Sequence, residues 1–137
     1  MTSDAAPLVG LRVLEISTFV AAPLGGLTLA QLGADVIRID PVGGGADIGR
    51  WPLAPSGTSL YWTGLNKGKR SVMLDFRSAE GRQIVADLVA ASGPDGGVVL
   101  TNAVGQDWLG SGRPRHRRGI AVTHGLPPDL PAAQYEP

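Results

Sequence analysis

Residues 11–40, LRVLEISTFVAAPLGGLTLAQLGADVIRID, decide the fold. Residues 11–16 are a short run of branched apolar side chains preceded by Pro7 and Gly10, the composition of a core strand. The pattern then changes. Pro23 suits the first turn of a helix, Leu24, Leu27 and Leu32 supply apolar surface, and Gly33 falls where a left-handed C-cap belongs. A helix over residues 23–32 is predicted. Residues 34–40, ADVIRID, alternate as a second strand, and so short a return from the helix predicts a βαβ unit with parallel strands.

Downstream the alternation repeats. Residues 41–59 contain Gly43, Gly44, Gly45 and several prolines, a loop long enough to be expected either functional or mobile. Leu60, Tyr61 and Trp62 form an aromatic patch leading into GLNKGKRSVMLD at residues 64–75. Residues 71–76 read as a third strand. Ser78 can cap a helix that carries Ile84, Val85, Leu88 and Val89 at helical spacing, with Glu80 near its positive end. Residues 96–102 give a fourth strand ending in polar residues. The expected fold is α/β: a Rossmann-like, mostly parallel sheet in βαβ–βαβ order. Beyond residue 110 the character shifts, with Arg113, Arg115, His116, Arg117 and Arg118 clustered and Pro127, Pro128, Pro131 and Pro137 crowding the end. The expected organisation is an α/β region over 1–110 and an irregular Arg/Pro-rich tail over 111–137. There is no internal repeat.

The totals bound the function classes. The 137 residues carry 12 Lys+Arg against 12 Asp+Glu and 43% hydrophobic content, within the range of one globular domain. A neutral balance argues against a general nucleic-acid binder, which needs a basic excess to release counterions. Cysteine is absent, which excludes disulfides, thiolate metal sites and cysteine nucleophiles. No apolar run approaches the roughly 18 residues of a membrane span. The expectation is a soluble, cytoplasmic protein without nucleic-acid or membrane partners.

Motifs that resemble nucleotide sites fail on spacing. The turn after the first strand, STFVAAP, has small residues but lacks the G-x-G-x-x-G that lets a pyrophosphate approach a helix start. Gly64–Ser71 imitates a phosphate loop, yet three residues rather than four separate its first glycine from Gly68-Lys69, and it precedes a strand instead of following one. Lys67, Lys69 and Arg70 have two readings: a solvated turn, or a phosphate clamp in which lysine supplies point charge and arginine a planar fork. Asp35, Asp40, Asp47 and Asp75 match neither an acid pair nor a metal site, so strand-end charges and caps are expected of them. His116, His124 and the arginine cluster read as solvated tail.

The residues then match a known pattern. LVGLRVLEISTFVAAPLGGLTLAQLGADVIRIDPVGGG, followed by SLYWTGLNKGKRSVMLDFRSAEGRQIVADLV and VVLTN, resembles the N-terminal part of family III CoA-transferases over residues 8–109. The wording FVAAPLGGLTLAQLGADVIR, RWP, GLNKGKRS and TN…WL is most similar to the branch that shifts CoA between the carboxyls of mesaconyl-CoA. The resemblance implies coenzyme A, as an acyl-CoA substrate, contacting Val20 and Ala21 after the first strand, Leu74, Asp75, Phe76 and Arg77 at the third, and Asn102, Ala103 and Val104 after the fourth. It adds Arg38, Lys67, Lys69 and Arg70 as partners for the CoA phosphates. Other members carry glutamine at the position of Val20 and phenylalanine at that of Ala103.

In the family an aspartate takes the acyl group as a mixed anhydride. That residue lies beyond the matched blocks: neither Asp75, which belongs to the strand block, nor Asp129, in the tail, corresponds to it. No catalytic or metal-binding residue is therefore assigned. The expectation is a truncated product, shifted out of frame near Gly112, that is inactive alone. The rival expectations are a non-catalytic CoA- or nucleotide-binding module and a remnant without function. Full-length members are implied to form interlocked homodimers.

Overall fold

The structure is a computed structural model that describes residues 6–92, 97–102 and 119–123. The elements run β1 (Arg12–Ile16), α1 (Ala21–Gln31), β2 (Asp35–Asp40), α2 (Leu60–Leu65), β3 (Arg70–Met73), α3 (Ala79–Ala90), β4 (Gly97–Thr101) and β5 (Gly119–Thr123). All five strands pair in parallel, in the order β3-β2-β1-β4-β5. The chain winds outward from β1 to β3 and then crosses to the other side of β1. This is a doubly wound order, with its switch point between β1 and β4.

Both faces of the sheet are covered, which explains why its central strands have so few exposed positions. Leu14, Ile16, Ile37 and Ile39 pack on one face with Val85, Leu88 and Val89 of α3. Val13, Ala34 and Val36 pack on the other with Leu29 and Ala30 of α1. Successive strand residues point to opposite faces. Glu15 and Arg38 therefore lie on the α1 face, inside the protein.

Helix α1 starts at Ala21, two residues before the expected Pro23. Pro23 still lies in the first turn, where a missing N–H costs no helical hydrogen bond. Gly33 follows with φ +99, the left-handed stop expected of it. Helix α3 is capped as expected, Gly81 N donating to Ser78 Oγ at 2.9 Å. The run 71–76 divides: β3 ends at Met73 because its neighbour β2 ends at Asp40, in register with Met73, and Leu74 N makes a last bond to Asp40 O. Leu60–Leu65, read only as an aromatic patch, is a short helix begun by Ser59, whose Oγ accepts from Trp62 N. The sequence predicts no strand past residue 102, yet Gly119–Thr123 pairs along the full length of β4.

Candidate functional site

A parallel sheet brings the carboxyl ends of its strands to one edge, and that edge receives most of the residues singled out by sequence. Val20 and Ala21 follow β1, Leu74, Asp75, Phe76 and Arg77 follow β3, and Asn102 follows β4. At the β2–β3 end the edge opens into a crevice of about 670 Å³ lined by Pro41, Val42, Asp75, Phe76, Arg77 and Arg82. Asp75 shapes this rim by accepting from Arg77 N at 2.9 Å. Arg82 Nη1 donates to Phe76 O and Arg77 O at 3.1 and 2.9 Å, tying α3 to the loop. Arg77 and Arg82 give the crevice a cationic rim.

At the switch point the β1–α1 turn is held from two sides. Asn102 donates through Nδ2 to Thr18 O at 2.8 Å and accepts through Oδ1 from Thr18 N at 3.0 Å. Asp47 Oδ2 accepts from Phe19 N at 3.2 Å. Val20 is the N-cap of α1 but offers no side-chain cap, and no acidic residue occupies the first turn. The positive end of α1 at this edge is thus left to other anions.

Beneath the edge lies a buried charge network that the sequence reading missed. Parallel register sets Glu15 beside Arg38, and both side chains have 1% exposure or less. Arg38 reaches Asp40 through Nε at 3.0 Å, Asp47 through Nη2 at 3.1 Å and Asn66 Oδ1 through Nη1 at 3.0 Å. Its guanidinium also lies 5.6 Å from the Trp62 ring centroid. Lys69 spends its three donors on Glu15 Oε1 (3.0 Å), Pro23 O (2.8 Å) and Asn66 Oδ1 (3.0 Å). Glu15 Oε2, which accepts no aligned hydrogen bond, still lies 2.8 Å from the Lys69 ammonium, so the carboxylate is compensated by charge at both oxygens. Three carboxylates here face two cations.

The network shifts its cations in opposite directions. Burial alone would lower Arg38, but the bond to Asp40 and the charges of Asp40, Asp47 and Glu15 outweigh it and hold the guanidinium above its ordinary value. Burial lowers the Lys69 ammonium below 10.5, against the pull of Glu15. The overlooked signal is a charged residue in mid-strand on the same face as apolar neighbours: Glu15 two residues after Val13, and Arg38 two after Val36.

The cations of GLNKGKR are thus dispersed. Lys69 points inward, while Arg70 opens β3 at the opposite, amino edge and meets Asp35 at 2.6 Å. Arg12 meets the same carboxylate at 3.1 Å. Lys67 is exposed in the turn after α2. Ala103, Val104, the arginine cluster, both histidines and Asp129 lie outside the described residues. No group of three His, Asp or Glu able to hold a metal occurs among the described residues. No described helix is long and apolar enough to cross a membrane.

The chain is similar to known proteins in sequence and in fold. The model of CoA-transferase family III matches residues 8–108. The 2-methylfumaryl-CoA isomerase of Chloroflexus aurantiacus is 51% identical over 119 residues, 85% of this chain and 29% of that protein. A solved structure from Mycobacterium tuberculosis is 30% identical, with a TM-score of 0.68, covering 85% of this chain and 32% of the other. A CAIB/BAIF family protein from Brucella suis is 38% identical, with a TM-score of 0.59, covering 70% of this chain and 26% of the other. The chain spans less than a third of the length of each of these. It belongs to CoA-transferase family III.

Proposed function

We propose, from membership of CoA-transferase family III, that this chain forms the CoA-holding part of an enzyme that moves CoA between carboxylates, with a mesaconyl-type C5 dicarboxylate as the acyl group. The observation that carries the reading is the crevice at the β2–β3 edge, since Asp75, Phe76 and Arg77 line it and are among the residues that the family resemblance implies for CoA contact. Arg77, with a planar fork at an open rim, suits a phosphate of the nucleotide end. The uncapped start of α1 at Val20 and Ala21 suits a second anionic group along the same edge. Arg38 and Lys69 act beneath as internal supports, and Lys67 and Arg70 serve solvent and the amino edge. The acyl group in the substrate assignment follows the likeness to 2-methylfumaryl-CoA isomerase.

Each aspartate among the described residues is already engaged: Asp35 by Arg12 and Arg70, Asp40 and Asp47 by Arg38, Asp75 by Arg77 N, and Asp87 by Gln83. That engagement favours binding without catalysis as the second reading. Titration calorimetry with CoA tests the first: saturable heat is expected, with Arg77→Gln weakening affinity about tenfold, or ~1.4 kcal/mol. No heat at millimolar CoA would remove the reading.

A further inference from the structure

We propose that Asp47 is a positioning residue for the β1–α1 turn: held by Arg38, its carboxylate fixes the Phe19 amide and so sets where Val20 and Ala21 stand on the ligand edge. Phe19 has φ +64 and is the one non-glycine residue at positive φ among the described residues. For a bulky side chain that conformation is sterically costly, and it persists only where surrounding contacts over-determine it. The Phe19 ring does not supply them by burial, since the residue is 47% exposed.

What holds it is polar. Asp47 is 1% exposed, in the glycine-rich loop after β2. Both its oxygens accept from Arg38 Nη2, Oδ1 at 3.1 Å and Oδ2 at 3.4 Å, and Oδ2 also reaches the β1–α1 turn, accepting from Phe19 N at 3.2 Å. Neutralising Arg38 does not require the bond to Phe19. Arg50, three residues further along the loop, stacks over the Phe19 ring at 5.3 Å and the Tyr61 ring at 4.8 Å. The residue before Phe19 is held independently, at both its N–H and its C=O, by Asn102. The path therefore runs from the buried Arg38, through one loop carboxylate, to the left-handed Phe19 step before the uncapped helix. The glycine-rich loop is joined to β2 and to the β1–α1 turn by the same carboxylate.

The inference rests on the CoA reading for its functional consequence, and the experiment separates the two. In the full chain, amide hydrogen exchange of Phe19 is expected to be slowed at least a hundredfold although the residue sits in a turn. Free exchange at Phe19 in the unmodified chain overturns the proposal whether or not any variant folds. Asp47→Asn is expected to lose at least tenfold protection at Phe19 beyond its effect on β1 and β2, and to weaken CoA binding about tenfold. Adding Phe19→Gly, which adopts positive φ without the steric cost, is expected to recover most of the CoA affinity but not the stability. An Asp47 that merely supported the fold would lower protection across the whole sheet, and the glycine would rescue nothing; either result overturns the proposal. If the unmodified chain binds no CoA, the function proposed above fails, and exchange at Phe19 alone decides the clamp.

Discussion

Lys69 is the residue on which the buried charges depend most visibly. Its removal leaves Glu15, with no exposed surface, a single cation, Arg38 at 3.5 Å, beside the Ser17 hydroxyl that donates to Oε1 at 2.7 Å. Breaking a buried pair from one side costs about 3–5 kcal/mol, much of it the penalty of the stranded charge. Lys69→Met should lose that much in urea unfolding, and Glu15→Gln added to it should recover more than half. The direction of the Lys69 shift adds a pH signature. Its folded value lies below the ordinary 10.5, so between the two the unfolded chain binds more protons and stability rises with pH. The stability difference between the unmodified chain and Lys69→Met should therefore widen as pH climbs through that window; a constant difference would contradict a buried ammonium. None of this was legible in GLNKGKR, because whether a cation before a strand points to solvent or inward depends on packing against α1, which has no sequence signature beyond its small residues.

At the scale of elements, α1 lies close to the sheet because Gly26 permits it. A Cβ at this position would overlap the Glu15 carboxylate and approach Lys69 Nζ to 3.2 Å. Gly26→Ala should cost about 1–3 kcal/mol by chemical denaturation, as overpacking does. Ser78→Ala removes the acceptor for Gly81 N and should cost about 1 kcal/mol, with exchange quickening first in the opening turn of α3. Helix α3 and strands β1 and β2 were readable because period 3.6 and period 2 are written into single segments. Helix α2 was not, since six residues with no buried member carry too little periodicity. The end of β3 was set by the end of β2, a neighbour 33 positions earlier in register. The pairing of Glu15 with Arg38 likewise exists only once two strands are aligned.

For the whole molecule, parallel pairing separates two edges with different roles. The amino edge closes Asp35 between Arg12 and Arg70, while the carboxyl edge gathers the β1–α1 turn, Asn102 and the crevice with Arg77. The residues of the third-strand block were placed on the ligand side by sequence, and the cations just before them fall at the other end of the same strand. The two edges differ in whether CoA should land on them. Amide-resolved NMR titration of the chain with CoA measures this directly: saturable shifts at Val42, Asp75, Phe76, Arg77 and Ala21, with Arg12, Asp35 and Arg70 unmoved, are the predicted result. Shifts confined to the amino edge, or none at millimolar CoA, would contradict it.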